Sequence, residues 1–200
     1  MELVIATTNK GKLKEIAALL SGLPIKVLSL ASFPGCPDVV EDGNTFRENA
    51  LKKARTVAEY TGLLTLADDS GLEVDALEGA PGIHSARFSG NGADDLKNNT
   101  KLLRLLKDTP DEGRGAQFVC VLALAGPPGS GLREKVIRGV VRGRVAHEMA
   151  GGRGFGYDPL FYYTKAGKTF AEMGPDEKNK VSHRGRALAK LREYLNSAKL

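Results

Sequence analysis

The stretch Leu3-Val4-Ile5-Ala6-Thr7-Thr8-Asn9-Lys10-Gly11-Lys12 begins the chain with a strand, a polar turn and the start of a helix. Its first four residues form a short apolar run, which is typical of a buried strand. Apolar residues then recur at helical spacing from Leu13 to Leu20 and stop before Gly22. Many α/β proteins begin in this way, so the stretch predicts a fold of that class.

The remaining apolar patterns alternate between helical and extended spacing. In chain order they predict a helix capped by Thr45, a strand at 63–67, a helix capped by Asp94 or Asp95, an antiparallel pair of strands at 118–125 and 136–142, and a final helix through Leu188 and Leu195. The sequence contains no internal repeat and no linker. We therefore predict a single mixed α/β domain over residues 1–200.

The composition is that of an ordinary folded protein. Hydrophobic residues make up 42% of the 200 residues and charged residues 26%, which excludes a disordered chain. No apolar run approaches the roughly 20 residues of a membrane helix, and the first residues do not resemble a signal peptide. Cys36 and Cys120 suit neither a metal site nor a disulfide framework. We expect a cytoplasmic protein without a membrane partner.

The charge is unevenly distributed along the chain. Residues 1–100 contain 10 Lys and Arg against 14 Asp and Glu, a net charge of −4, and residues 101–200 contain 19 against 10, a net charge of +9. A uniformly basic chain would indicate a nucleic acid or membrane partner. An acidic half and a basic half instead suit a cleft with a metal-binding wall and a phosphate-binding wall.

The polar turn Thr7–Lys12 has the features of a phosphate site. Backbone N–H groups at a helix start are unpaired and carry partial positive charge, and two lysines and two hydroxyls stand beside them. The turn is not a Walker A loop, because Ala6 replaces the first glycine and Leu13 replaces the Ser or Thr. An ordinary turn capped by Asn9 explains the same residues, so both interpretations stay open.

Two adjacent aspartates, Asp68 and Asp69, follow the second predicted strand. Neighbouring side chains of an extended segment point to opposite faces, so one can face a site while the other braces the backbone. Carboxylates at the end of a strand suit Mg²⁺, and Glu41 and Glu48 are further oxygen donors in the acidic half. The alternative is a plain turn, because Asp-Asp-Ser-Gly is a favourable turn sequence.

The segment Gly154-Phe155-Gly156-Tyr157-Asp158-Pro159 places two aromatic residues among glycines and before a carboxylate. Such aromatics stack on a flat base, with a contribution on the order of 1–3 kcal/mol that depends little on base identity. Selectivity would then come from polar groups near the ring. The alternative is a glycine-rich turn whose Phe155 and Tyr157 pack in the core.

The segment Glu177–Arg184 brings Lys178, His183 and Arg184 to the start of the final helix. Positive charge at a helix start opposes the helix dipole unless an anion lies there. Conflicts of this kind tend to mark functional sites. The alternative is a solvated basic face, which is what most charge runs are.

Together, these segments resemble the inosine/xanthosine triphosphate pyrophosphatase family, whose members clean the nucleotide pool. The matching stretches lie in the same order and cover nearly the whole chain. They are Thr7–Lys12, Thr45–Ala50, Ala67–Leu72, Gly79–Gly82, Ser85–Gly90, Phe155–Pro159 and Ser182–Arg184. One departure is Thr8, where many members of the family have glycine; the hydroxyl should be tolerated but should tighten the turn.

The resemblance implies an elongated mixed α/β fold, with a long twisted mixed sheet and two lobes flanking a central substrate cleft. It also implies Mg²⁺-dependent hydrolysis of a nucleoside triphosphate between its α and β phosphates, which yields a monophosphate and pyrophosphate. The implied substrates are dITP, ITP and XTP, in preference to ATP and GTP. The implied assembly is a homodimer.

The resemblance further implies roles for individual residues. Asp69 is the implied catalytic base and binds Mg²⁺ together with Glu41, with Glu48 as an additional, outer contact. Phe155 stacks on the base and Asp158 helps to read its edge, while the basic residues neutralise phosphate charge or contact the purine. The implied substrate-binding residues are Thr7, Thr8, Asn9, Lys10, Gly11, Lys12, Ser70, Phe155, Gly156, Tyr157, Asp158, Lys178, His183 and Arg184.

Two other functions are consistent with parts of the sequence. A related pyrophosphatase that acts on modified pyrimidine nucleotides would use the same triphosphate chemistry. A non-enzymatic nucleic-acid-binding module would explain the basic half, and its affinity would fall steeply with added salt. Glu41 and Asp69 argue against the second function, because these acidic groups repel phosphate unless a metal intervenes. We therefore expect no nucleic acid partner.

Overall fold

The structure is a computed structural model that describes residues 1–90, 92 and 94–197. The strands within these residues are β1 (Glu2–Ala6), β2 (Lys26–Ser29), β3 (Thr65–Val74), β4 (Gly115–Ala125), β5 (Lys135–Val145), β6 (Phe161–Tyr163) and β7 (Lys168–Thr169). The helices are α1 (Lys10–Leu20), α2 (Phe46–Thr61), α3 (Asp95–Leu105), α4 (Pro175–Val181) and α5 (His183–Ser197). The strands form one sheet in the order β2-β1-β3-β4-β5-β6-β7.

The sheet is mixed in strand direction. β1 pairs in parallel with β2 and with β3, whereas β6 pairs antiparallel with β5 and with β7. α1 connects β1 to β2, and α2 connects β2 to β3, so the parallel strands have the helical crossovers that they require. The mixed α/β class predicted from the sequence is confirmed.

Local sequence signals determine three of the helix starts. The side chains of Asn9, Thr45 and Asp94 each accept a hydrogen bond from a backbone amide in the first turn of α1, α2 and α3, which satisfies donors that a helix start leaves unpaired. Gly62 ends α2 with a φ of 68°, a left-handed conformation that glycine adopts at little steric cost. None of the described helices combines the length and the apolar character needed to cross a membrane.

The chain divides into two compact units. The first unit comprises residues 1–69, 120–139 and 184 onward. The second unit comprises residues 70–119 and 140–183. The central cleft that the resemblance implies stays a prediction.

The core of the first unit joins strand and helix residues. Leu3 and Ile5 of β1 are fully buried in one cluster with Ile16 of α1 and Leu188 of α5. Burial of each such side chain contributes roughly 1.5–3 kcal/mol to folding. Because the polar turn directly follows β1, this core fixes where the turn begins.

The core of the second unit is rich in aromatic rings. The ring centre of Phe118 lies 4.7 Å from that of Phe161 and 6.0 Å from that of Phe170. The same unit holds the buried side chain of Arg114, which donates hydrogen bonds to four backbone carbonyls. These carbonyls satisfy the buried guanidinium, so Arg114 has a structural role in the second unit.

The structure differs from the sequence prediction at two segments. β3 continues through Asp68-Asp69-Ser70-Gly71 to Val74, so the paired aspartates lie inside a strand and not in a turn that follows one. Ion pairs to both carboxylates override the turn preference of these residues. Residues 175–181 form the short helix α4, where the sequence predicted no helix; Pro175 occupies its first turn, a position at which proline is favoured.

Candidate active site

The polar turn after β1 is held by its own side chains. Oγ1 of Thr7 accepts a hydrogen bond from the Asn9 amide at 3.2 Å, and Oδ1 of Asn9 accepts one from the Lys12 amide at 3.0 Å. Thr8 and Lys10 are exposed. The turn therefore has the ordinary cap expected for an Asn, and its exposed face is compatible with the predicted phosphate contact.

The side chain of Lys12 reaches the buried carboxylate of Asp68. Lys12 Nζ lies 2.5 Å from Asp68 Oδ1. Arg184 Nε donates to Asp68 Oδ2 at 3.0 Å, and Cys120 Sγ lies 3.1 Å from the same oxygen. Burial alone would raise the pKa of Asp68, but the charges of Arg184 and Lys12 outweigh it and hold this pKa well below its ordinary value. Asp68 is therefore held by the charged side chains of Lys12 and Arg184.

Arg184 is held between two carboxylates. Its Nε bonds Asp68, and its Nη1 bonds Glu15 of α1. Burial disfavours the charged guanidinium, yet Asp68 and Glu15 raise the pKa of Arg184. The two carboxylates place negative charge beside this basic helix start, where the sequence had suggested a bound anion or a solvated basic face. The predicted contact of Arg184 with the nucleotide stays a prediction.

Glu15 was absent from the sequence-based set of site residues. It lies three residues after Lys12 on α1 and therefore on the same helix face. That spacing was a usable signal, because Lys12 was already a candidate. The sequence could not reveal the partner, since Arg184 lies 169 residues away from Glu15.

Asp69 has different partners from its neighbour Asp68. Lys53 Nζ lies 3.2 Å from Asp69 Oδ1 and 2.6 Å from Glu41 Oε1, and it donates to the backbone carbonyl of Asp68 at 2.8 Å. Asp69 is only 5% exposed, and among the described residues its buried Oδ2 has no hydrogen-bond partner. A buried carboxylate oxygen without a partner is costly, so Oδ2 indicates a position for a water molecule or a metal ion.

The pKa values of Asp69 and Lys53 are both shifted. Burial raises the pKa of Asp69 above its ordinary value; Lys53 opposes this shift and Glu41 adds to it. Burial also disfavours the ammonium of Lys53, but Asp69 and Glu41 outweigh this effect and raise the pKa of Lys53. A carboxylate whose pKa is raised is a stronger base once it is ionised. Asp69 thus has the property that a general base needs.

Lys53 is a further site residue that the sequence prediction omitted. It lies in α2, three residues after the fully buried Ala50. Its side chain is only 12% exposed. A lysine beside the apolar face of a helix is a signal for a buried ion pair, although the spacing does not identify the partner.

The carboxylates available for a metal are few. Within the described part of the chain, no group of three or more His, Cys, Asp or Glu residues is arranged to hold a metal ion. Glu41 and Asp69 share the ammonium of Lys53 and thus form a pair of carboxylates around one cation. Glu48 is exposed, and its Oε2 accepts a hydrogen bond from the Asn44 amide at 2.7 Å, which supports the start of α2.

In the second unit, Asp158 organises the glycine-rich segment. Its Oδ2 accepts hydrogen bonds from the Phe155 amide at 2.9 Å and from Lys178 Nζ at 2.6 Å. Gly154 has a φ of 78°, and a Cβ at this position would collide with the carboxylate of Asp158. Lys178 Nζ also lies 4.8 Å from the centre of the Phe155 ring, a cation–π contact. The structure thus brings together Phe155, Asp158 and Lys178; their predicted contacts with the nucleotide stay predictions.

Tyr157 belongs to the packed part of this segment. It is 4% exposed, and its hydroxyl donates to the carbonyl of Ser85 at 2.8 Å. Burial raises the pKa of Tyr157, so the phenol stays protonated. This environment matches the core alternative for Tyr157, and its predicted substrate contact stays a prediction.

The other predicted residues of the second unit lie in different environments. His183 is buried, and its ring stacks on Phe118 with the ring centres 4.6 Å apart. Ser70 is half-buried in β3. Gly156 is half-buried, and its backbone is bonded to α3.

The sequence has close relatives of known classification. The model of the Ham1 family matches residues 3–194. A dITP/XTP pyrophosphatase of Desulforamulus reducens is 54% identical over 196 residues, which covers 98% of this chain and 96% of the relative. A dITP/XTP pyrophosphatase of Geobacter sulfurreducens is 54% identical over 193 residues, which covers 96% of each chain.

Solved structures agree with the sequence comparison. A HAM1 protein from Coxiella burnetii superimposes with a TM-score of 0.89 at 44% identity, over 98% of each chain. The Ham1 protein of Staphylococcus aureus gives a TM-score of 0.87 at 40% identity, over 99% of this chain and 100% of that one. The similarity in sequence and in fold therefore extends over nearly the whole chain.

Proposed function

Because the chain belongs to the Ham1 family, we propose that it hydrolyses dITP, ITP and XTP to the nucleoside monophosphate and pyrophosphate. This is a pyrophosphohydrolase reaction that removes deaminated purines from the nucleotide pool. The observation that carries the proposal is the 54% identity, over nearly the full chain, to dITP/XTP pyrophosphatases. The side chains of both units supply chemistry that suits it.

Asp69 is the proposed general base. Its buried Oδ2 is available to a water molecule, while Lys53 fixes the other carboxylate oxygen at 3.2 Å. A carboxylate held in this way orients the attacking water and accepts its proton. General bases of this kind contribute roughly 10²–10⁴-fold to a rate.

Glu41 and Asp69 fit a magnesium ion. Mg²⁺ prefers oxygen ligands, retains several waters and is usually held by one or two carboxylates together with substrate phosphates. Glu41 and Asp69 both contact the ammonium of Lys53, so their carboxylates lie around one positive charge. Together with the buried Oδ2 of Asp69, this pair of carboxylates matches the requirement of Mg²⁺. Mg²⁺ would neutralise phosphate charge and lower the pKa of water.

Removal of divalent metal by EDTA is therefore expected to stop turnover, and added Mg²⁺ should restore it.

The triphosphate is the proposed ligand of the polar turn after β1. The amides at the start of α1 and the hydroxyls of Thr7 and Thr8 are suitable donors, and Lys10 adds positive charge. Lys12 already balances Asp68, so we assign it a shared role between the carboxylate and phosphate. Arg184 contributes to the same unit by holding Asp68 in place.

The purine is the proposed ligand of the Phe155 segment. Phe155 would stack on the base, and Asp158 and Lys178 would contact its polar edge. Hypoxanthine and xanthine carry a carbonyl at C6 where adenine carries an amine. A donor at that position, such as the ammonium of Lys178, therefore disfavours ATP, because an unmatched buried polar group is costly. GTP shares the carbonyl, so its 2-amino group must be the group that is disfavoured.

Replacement of Phe155 by alanine is expected to lower kcat/KM for dITP by about 5- to 150-fold, the equivalent of the stacking contribution of one base. The loss should come mainly from KM, because the ring contacts the base and not the reacting phosphate. Steady-state kinetics measures both terms. The matched control is Phe155→Tyr, which keeps the stacking face and should retain most activity. Equal kinetics for Phe155→Ala and the unaltered enzyme would exclude the stacking role.

A substrate panel tests the proposed specificity. The purified protein is incubated with Mg²⁺ and either dITP, XTP, ATP, GTP, dUTP or a methylated pyrimidine triphosphate, and pyrophosphate is quantified. Rates on dITP and XTP are expected to exceed all others by orders of magnitude. Comparable rates on ATP would contradict the purine specificity, and a preference for the pyrimidine nucleotides would favour the related pyrophosphatase.

We further propose that the enzyme is a cytoplasmic homodimer. Its two cysteines, Cys36 and Cys120, are free thiols, as expected in a reducing compartment. Light scattering coupled to size-exclusion chromatography measures the assembly. A mass near twice the 21.3 kDa of one chain is expected, and a mass of one chain at micromolar concentration would contradict the dimer.

A further inference from the structure

Helix α3 holds the peptide backbone of Gly156 from two sides. Asp95 Oδ2 accepts a hydrogen bond from the Gly156 amide at 2.6 Å, and Asn99 Nδ2 donates to the Gly156 carbonyl at 2.8 Å. Asp95 and Asn99 are four residues apart, so they lie on one face of α3. We refer to this pair of side chains as the α3 clamp.

The clamp fixes the two peptide planes that flank Gly156. The first of these planes contains the carbonyl of Phe155, and the Phe155 amide is bonded in turn to Asp158. Phe155 is thereby restrained on both sides of its Cα, which fixes the direction of its Cα–Cβ bond, and the ring itself is contacted by Lys178 Nζ at 4.8 Å from its centre. Gly156 has a φ of 62°, a left-handed conformation that without such bonds would exchange readily with others.

The cap of α3 does not account for the Asp95 contact. Asp94 is the cap residue, and its Oδ1 accepts the Lys97 amide at 3.0 Å. Asp95 follows the cap, yet its carboxylate is directed to a residue 61 positions away in sequence. Asn99 is 2% exposed and also donates to the Asp95 carbonyl at 2.8 Å. The side chain of Asn99 thus bonds the backbone of Asp95 as well as that of Gly156.

We propose that Asp95 and Asn99 are positioning residues for purine recognition, which act by holding the Phe155 ring in the orientation that stacks on the base. The inference rests on the proposed function, because it takes Phe155 as the stacking residue. If the segment adopts the competent orientation only part of the time, the apparent dissociation constant rises by the inverse of that fraction. Loss of the clamp therefore weakens base binding and leaves the reacting end of the nucleotide unaffected.

A single tryptophan provides a direct readout of this orientation. The chain contains no tryptophan, so Phe155→Trp introduces a unique fluorophore at the stacking position. Titration with inosine 5′-monophosphate, which carries the base and is not hydrolysed, is expected to quench its fluorescence and to yield a dissociation constant. Tripolyphosphate, which lacks the base, is titrated by calorimetry in the same protein.

In this background, Asp95→Ala and Asn99→Ala are each expected to raise the dissociation constant of inosine 5′-monophosphate by about tenfold, as for a competent fraction near one tenth. Affinity for tripolyphosphate should not change. Asp95→Asn keeps an acceptor for the Gly156 amide and should restore most of the affinity. Without the tryptophan, the alanine variants should raise KM for dITP and leave kcat within about twofold, which separates binding from catalysis.

The matched control is Asp94→Ala, one position earlier on the same helix. It removes the cap and lowers the melting temperature, but it does not touch Gly156. If Asp95→Ala and Asp94→Ala have the same affinity for inosine 5′-monophosphate, the effect is only structural and the clamp is overturned. If the monophosphate fails to quench Trp fluorescence with the clamp intact, stacking at position 155 fails and the inference fails with it.

Discussion

Asp69→Asn is expected to reduce kcat for dITP by about 10³-fold or more while the protein remains folded. A contribution of this size is typical of a general base. Asparagine has nearly the shape of aspartate but cannot accept a proton from water. Stopped assays that quantify pyrophosphate have the range to measure such a loss.

The fold should tolerate this substitution because Asp69 is not stabilised as an anion. Burial raises the pKa of Asp69, which means that the folded state disfavours the charged form. Lys53 keeps Glu41 and the carbonyl of Asp68 as partners. Because the charge of Asp69 also stabilises the ammonium of Lys53, we expect a small decrease in the melting temperature of Asp69→Asn and no loss of the fold.

The matched control for Asp69→Asn is Asp42→Asn. Asp42 lies in the same acidic half and pairs with Lys52 at the surface, so its loss should leave kcat unchanged. Retention of more than about a hundredth of the activity by Asp69→Asn would remove Asp69 from the role of base, since a base contributes at least about two orders of magnitude.

Asp68→Asn is expected to have the largest effect on stability, a loss of about 3 kcal/mol in the free energy of unfolding. Removal of one partner from a buried ion pair typically costs about 3–5 kcal/mol, and the lower end applies because Arg184 keeps Glu15. For a chain of this length, that corresponds to a fall of roughly 6–12 °C in melting temperature. Calorimetry measures the change directly.

The effect of Asp68→Asn should depend on pH in a defined direction. The pKa of Asp68 is held well below the ordinary value of an aspartate in the folded state. Its contribution is therefore fully present above that value and is lost as the pH falls through the lower, folded-state pKa. The stability difference between the two proteins should shrink in strong acid. A difference that is absent at neutral pH would show that the ion pairs of Asp68 do not stabilise the fold.

Local chemistry made much of the fold predictable. Asn9, Thr45 and Asp94 cap their helices through contacts within three residues, and such contacts can be read directly from sequence. The aspartates of β3 were harder, because turn propensity is local whereas the ion pair of Asp68 with Arg184 spans 116 residues. A sequence does not reveal a partner at that distance unless the fold is known.

The candidate site was predictable in its residue types more than in its pairings. Asp158 was expected near the base and Lys178 near either the base or the phosphates, and the structure joins them in a buried ion pair at 2.6 Å. Lys53 and Glu15 were missed, because each is one charged residue among many on an amphipathic helix. Lys53 is identified by its contacts with Asp68 and Asp69 of β3, and Glu15 by its contact with Arg184.

The products formed from dITP test the central claim most directly. The protein is incubated with dITP and Mg²⁺, and the nucleotide and phosphate products are separated and quantified over the first turnovers. Formation of dIMP and pyrophosphate in equal amounts is the predicted result, with neither product formed by Asp69→Asn at a comparable rate. Formation of dIDP and orthophosphate would contradict cleavage between the α and β phosphates, and with it the proposed function.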